Sequence, residues 1–205
     1  MSKTREQLED RAEHYIRSGG FNSFSFRDLA RDLGIKSASV HYHFPTKSDL
    51  GTAVARRYNE RFRAALPDPE TSNRTAEELL RHYIRMFHTE MIQANQICLC
   101  AVLSVERAAL SDEMQSSLQA FYALNLDWLT GVFSSNRTGS ALPRSQAHQR
   151  ACQVLATLQG ALVGAWAMQN RDYFVQSARG LYKDLFGKPL RLPKEVSSDS
   201  TEPSS

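Results

Sequence analysis

Apolar positions recur every three to four residues along most of this chain, and that spacing predicts helices. In the first helix, about Thr4 to Ser18, Leu8, Ala12, Tyr15 and Ile16 share an inner face, and Gly19-Gly20 stops it. Phe21 and Phe24 follow, placed to pack under the next helices. Phe26, Leu29, Ala30 and Leu33 then stand at i, i+3, i+4 and i+7 of a second helix. Ser25 precedes it as N-cap, Asp28 supplies the acid of a capping box, and Gly34 ends it with a residue that tolerates positive φ. Ile35 plugs the turn. Ser37 is read as the cap of a short third helix to Phe44, with Val40 and Phe44 inward. Pro45-Thr46 opens a fourth helix, which runs through Leu50, Ala53, Val54, Tyr58 and Phe62 to about Leu66.

Pro67-Asp68-Pro69 with Thr71-Ser72-Asn73 is the first clear linker. Beyond it, helix 5 (about Thr75 to Ala94) carries Leu79, Tyr83, Phe87 and Met91 on one stripe, with Leu80, Ile84 and His88 beside it. Helix 6 (about Gln96 to Leu110) is almost wholly apolar up to Val105, which makes it central. Helix 7 follows a Ser111 cap and turns Met114, Leu118, Phe121, Tyr122, Asn125, Trp128, Leu129 and Val132 inward. Helix 8 (about Gln146 to Asn170) contains Gly160, Ala161, Gly164 and Ala165, small enough to admit a neighbouring helix. Helix 9 runs from about Asp172 to Phe186, and the Ser-, Glu- and Pro-rich end is expected to be disordered. The expected fold is all-α with about nine helices. Residues 1–50 form a three-helix N-terminal domain, 46–66 a connecting helix, 67–190 a helical C-terminal domain and 191–205 a tail.

The overall charge of +3 conceals an asymmetry. Residues 1–66 hold 12 Lys and Arg against 8 Asp and Glu, whereas residues 67–205 hold 13 against 14. The basic excess is small and lies on the N-terminal helices, as phosphate binding wants, so docking geometry has to carry specificity. No apolar run reaches 18 residues and Met1–Asp10 is polar, which predicts a soluble cytoplasmic protein without a membrane span. Three cysteines argue against a disulfide scaffold.

The exposed face of helix 3 is where the chemistry gathers. Lys36, Ser37, Ala38, Ser39, His41, Tyr42 and His43 offer donors, small residues and aromatics, and no carboxylate occurs from Ile35 to Ser48. Such a face suits a polyanion, and the two helices around Gly34 have the layout of a helix-turn-helix whose second helix enters the major groove. Ser25 and Phe26 are placed to donate backbone N–H groups to a phosphate. Lys36, Ser37, Ala38, Ser39 and His41 are expected at base edges, and Tyr42, His43 and Lys47 on phosphates.

Phe21, Ser25, Phe26, Leu29, Ala30, Leu33, Gly34, Ile35, Ser39, Val40, His43, Phe44, Thr46, Lys47 and Leu50 together resemble the N-terminal motif of the TetR/AcrR family of transcriptional regulators. The departures are His41, where the family usually has Tyr, and Lys36-Ser37, where many members have Ser-Lys; both fall on the reading face. The resemblance implies a helix-turn-helix DNA-binding domain, helix 4 as link, and a C-terminal ligand-binding and dimerisation domain. It further implies a homodimer through helices 8 and 9 on a palindromic double-stranded operator, a repressor more often than an activator, and release by a small-molecule inducer.

Tyr83, Phe87, His88, Met91, Cys98, Phe121, Tyr122, Asn125 and Trp128, with Trp166 as an outer wall, are the candidate inducer residues. Their aromatic stripe serves equally as core. Cys98 and Cys100, placed on one helix two residues apart, would point about 200° away from each other and share no metal. A thiol at a helix N-terminus is acidified and turns reactive toward electrophiles. Several relatives with Gly-Cys-Leu at this point respond to electrophiles or oxidants; here the segment is Ile97-Cys98-Leu99, without the glycine, and a pair of inert buried thiols is the favoured reading. Cys152 is expected in the core. No histidine has a Glu three residues before it, and no nucleophile elbow or phosphate loop occurs, so neither an enzyme nor a cofactor or metal is called for. The reading taken is a ligand-responsive DNA-binding repressor. The alternative is a helical interaction adaptor without DNA binding, whose mark would be acids on helix 3.

Overall fold

A computed structural model describes residues 2–93, 96–136, 139 and 141–193, with the backbone alone for 91–93. The Met91 side chain and the tail from 194 onward therefore lie outside the described residues. Regular structure among the described residues is entirely helical: α1 (Lys3–Gly19), α2 (Phe26–Leu33), α3 (Ser37–His43), α4 (Lys47–Ala65), α5 (Ala76–Gln93), α6 (Leu99–Val105), α7 (Asp112–Ser134), α8 (Arg144–Ala167) and α9 (Arg171–Phe186), with single 3-10 turns at Phe21–Ser23 and Arg107–Ala109.

The turn chemistry acts locally as the sequence requires. Ser25 and Asp28 form both halves of a capping box at the start of α2, and Thr46 and Asp49 repeat it on α4. Each box is worth about 1 kcal/mol. Gly34 sits at φ 65°, its N–H reaching Arg31 O while Ile35 N–H reaches Ala30 O at 2.9 Å. That pair of bonds is a Schellman closure, which needs a residue comfortable in the left-handed region. Ser37, expected as the cap of α3, is its first helical residue instead. Lys36 takes the cap position without a side-chain bond.

Leu8, Ala12, Ile16, Leu29, Val40, Phe44 and Leu50 are buried in one N-terminal core. α4 leaves that core at Val54 and enters the second one at Tyr58 and Phe62, whose rings meet Phe121 of α7 at 5.9 and 5.1 Å. Gly51 marks the closest approach: a Cβ there would lie 2.7 Å from both the Met114 sulfur and the Phe21 ring. Further bonds tie the halves together. Arg17 Nε donates to Ile97 O at 2.8 Å, Phe21 N–H to Glu106 Oε2 at 2.7 Å, and Asn59 Nδ2 to Ser117 O at 2.8 Å.

Two expected elements differ. Helix 6 was expected over residues 96–110, but α6 is only seven residues long. Cys98 has ψ 129°, outside the helical region, and serves as the N-cap; Glu106 leaves the helix at ψ 7° as its carboxylate reaches back to Phe21. Helix 8 ends at Ala167 because Gln169 turns to φ 50° and Asn170 leaves to cap α9, accepting from Asp172 N–H at 3.0 Å. No helix among the described residues is long and apolar enough to cross a membrane.

Candidate nucleic-acid interface

α1 and α2 form the frame on which α3 stands. Tyr15 Oη and Arg11 Nε donate to Asp32 Oδ2 at 2.6 and 2.8 Å, and those two bonds hold the Asp32 carboxyl below the usual carboxylate range. They lock the C-terminal end of α2 to α1. At the other side Arg5 donates to His43 O at 3.2 Å and lies 4.3 Å over the Phe44 ring. Arg5 therefore fixes the end of α3. Sequence reasoning missed it, because nothing in a local pattern joins residues 38 apart.

On this frame Lys36, Ser37, Ala38, His41 and Tyr42 are exposed, and Ser39 and His43 are half-buried. Tyr42 is 84% exposed, the most exposed of the large apolar residues on the described surface. His41 is braced rather than free: its ring meets Phe26 edge-on at 4.9 Å and its Nδ1 lies 3.4 Å from Pro45 O. Phe26 thus orients the reading face from the neighbouring helix.

Two expected phosphate contacts have other partners. Ser25 N–H and Oγ both donate to Asp28 Oδ2, at 2.9 and 2.7 Å, which leaves the Phe26 amide at the start of α2. Lys47 Nζ donates to Phe24 O at 2.6 Å and lies 4.4 and 4.9 Å over the Phe24 and Phe21 rings. Burial pushes its pKa down, although Glu106 and Asp28 oppose that. Lys47 is a clamp on the turn between α1 and α2. Lys47→Met is expected to destabilise the fold by about 1–2 kcal/mol and to leave the salt dependence of DNA binding unchanged. Urea denaturation and a salt titration test both halves; a shallower salt slope in the variant would return Lys47 to the phosphates.

The candidate inducer residues separate in space. Tyr83, Phe87, Phe121, Asn125 and Trp128 are buried together: the Tyr83 ring stacks on Trp128 at 5.3 Å, its hydroxyl donates to Asn125 Oδ1, and Trp128 Nε1 donates to Pro67 O. His88 is buried and Tyr122 half-buried, with its hydroxyl 2.9 Å from Ser104 Oγ. Trp166 is exposed on α8 and walls no part of that cluster. A cavity of about 540 Å³ lies between α1, α4 and α5, lined by the aromatic Tyr58, Phe62 and Phe87 and by the charged Glu13, Arg17, Arg61, Arg85 and Glu90. Of the expected residues whose side chains are described, Phe87 alone borders it.

Cys98 and Cys100 are both buried, and each thiol bears on the other's ionisation. The opposed arrangement expected from a regular helix does not form, because Cys98 is the non-helical cap. Burial pushes the Cys98 thiol up, but hydrogen bonds from Cys100, from Tyr58 Oη at 3.4 Å and from the Ala101 and Cys100 amides outweigh it and bring it down to about 6. Burial, with that neighbouring thiolate, holds Cys100 well above its ordinary value. Gln159 Nε2 lies 3.9 Å from the Cys98 sulfur, and its Oε1 is buried without a partner. Cys152, expected in the core, is exposed on α8.

Residues 9–54 match the family described as bacterial regulatory proteins, tetR family. A comparison with curated proteins found no match. Among solved structures, a TetR transcriptional regulator from Legionella pneumophila is 28% identical with a TM-score of 0.81, covering 90% of this chain and 98% of its own. A TetR-family regulator from Agrobacterium tumefaciens is also 28% identical, with a TM-score of 0.79 over 88% of this chain and 96% of its own. FadR from Bacillus subtilis, solved in complex with stearoyl-CoA, shares the fold at 16% identity and a TM-score of 0.69, over 89% of this chain and 98% of its own.

Proposed function

From the membership of this chain in the TetR family of regulatory proteins, we propose that it is a transcriptional repressor that binds a palindromic operator as a homodimer and is released by a small molecule. The observation that carries DNA reading is the acid-free, exposed face of α3, with Tyr42 projecting and His41 braced by Phe26. Lys36, Ser37, Ala38, Ser39 and His41 read bases. Tyr42, His43 and the Phe26 amide position the backbone.

One α3 reads about half a turn of DNA, so two copies are needed. Val163, Trp166, Met168 and Tyr173 are exposed apolar residues at the α8–α9 end, and Gly160 faces open space. These support pairing through α8 and α9. Gly164 is covered by the Tyr173 ring, and Ala161 and Ala165 are buried within the protomer, so Gly160 alone of the four small residues is left for a partner.

Cys98 supports a second input, reaction of its thiolate with an electrophile, because a carbon–sulfur bond formed there removes the charge that Tyr58 of α4 and the amides of α6 stabilise. The test is binding to DNA upstream of the gene and its neighbours across a salt series, with and without N-ethylmaleimide. Sequence-specific binding at dimer stoichiometry is expected, lost on alkylation and retained by Cys98→Ser. His41→Ala is expected to cost about 1–3 kcal/mol on the preferred site and to relax its specificity. Unchanged relative affinities across a randomised operator library would remove His41 from the base edges.

A further inference from the structure

We propose that the cavity between α1, α4 and α5 binds a small organic carboxylate with an apolar body, and that its occupant acts on the DNA-binding helices through α1; the second half of this rests on the regulator reading above. The volume of about 540 Å³ accommodates a two-ring aromatic acid. Its aromatic lining is Tyr58, Phe62 and Phe87, which suits a flat apolar group.

The charges that line the cavity decide the sign of the ligand. Both acids there are already engaged. Glu13 accepts from Arg61 Nη2 on both oxygens, at 2.7 and 2.6 Å, and from Arg17 at 3.4 Å, while Glu90 accepts from Arg17. Arg61 uses one terminal nitrogen for these bonds, and its side chain is 51% exposed. Donor capacity beside the aromatic wall therefore exceeds acceptor capacity, and Arg85 adds a further positive charge. An amine would meet these guanidiniums and two occupied carboxylates. A carboxylate gains a fork from Arg61, and it competes for Arg17 against Glu90, whose side chain is 47% exposed and returns to water at little cost.

The geometry also supplies a route to the DNA face. Glu13 and Arg17 belong to α1, and the opposite end of that helix carries Arg5, which holds His43 O and the Phe44 ring at the end of α3. Exchanging the partners of Arg17 changes what ties α1 to α5 and to Ile97. α1 is one continuous helix, so on this proposal the change reaches Arg5 at its other end.

The experiment titrates the full chain, free of DNA, with 2-naphthoate and with the neutral 2-naphthamide, followed by ligand fluorescence. Naphthoate is expected to saturate one site and to bind about tenfold tighter than the amide. Arg61→Gln should weaken naphthoate by about tenfold, more than it weakens the amide, and Glu90→Gln should tighten naphthoate by removing its competitor. Equal affinity for acid and amide, or an Arg61→Gln protein that binds naphthoate normally, overturns the site. Saturating naphthoate is then expected to change operator affinity by roughly fivefold or more in the native chain and not in Arg61→Gln; an unchanged affinity overturns the effector role. DNA binding without naphthoate is scored separately, so a chain that binds naphthoate but no DNA argues against the regulator reading alone.

Discussion

Arg17→Met is expected to destabilise the protein by about 3 kcal/mol. Arg17 is buried, and its guanidinium bonds Ile97 O, Glu13 and Glu90, so it joins α1 to α5 and to the segment before α6. Methionine fills a similar volume but leaves the Ile97 carbonyl without its donor and the buried Glu13 with one cation fewer. The loss stops short of the full penalty for an unpaired buried charge, because Arg61 and Arg57 remain beside Glu13, at 2.6 and 3.6 Å. Urea denaturation followed by circular dichroism measures it, and a change under about 1 kcal/mol would show that the network behaves as a surface ion pair.

Cys98 is expected to be alkylated with a pH profile whose midpoint is about 6, where an unperturbed thiol gives about 8.5. The folded-state value is lowered, so between the two the unfolded chain holds a proton that the folded chain has released, and stability from this group rises with pH across that window. It is lost as pH falls through about 6. Because Cys98 is only 2% exposed, the absolute rate is set by opening of the structure, but the midpoint still reports the thiolate. Tyr58→Phe removes a donor to the sulfur and should move the midpoint up. Peptide-resolved mass spectrometry in a Cys152→Ser background separates Cys98 from Cys100; a midpoint near the ordinary thiol value would return Cys98 to an inert core residue.

The helix-turn-helix was legible because its determinants are local. Ser25 with Asp28, Gly34 with Ile35, and Thr46 with Asp49 lie within a few residues of one another, and their capping and turn geometry follows from the residue types. The absence of acids on α3 was likewise visible in one short stretch. The C-terminal aromatic cluster was not legible in the same way. An aromatic stripe at helical spacing reads alike whether it faces a cavity or another helix, and only packing showed that Tyr83, Phe121, Asn125 and Trp128 close on one another. Lys47 illustrates a subtler limit. Its position beside α3 suggests phosphate, and only the folded chain shows that Phe24 O, 23 residues earlier, also accepts from it.

The sequence by itself determined the all-helical architecture, the capped turns and the acid-free face of α3, since periodicity, short-range hydrogen bonding and residue type within one short stretch dictate them. Tertiary structure alone decided where a cavity opens, which arginines are held by which acids, and how a non-helical Cys98 comes against Cys100 and Tyr58. Those depend on groups 40 to 80 residues apart in the chain, such as Tyr58 with Cys98 and Arg17 with Ile97. Their meeting is fixed by how whole helices pack, which no local pattern encodes.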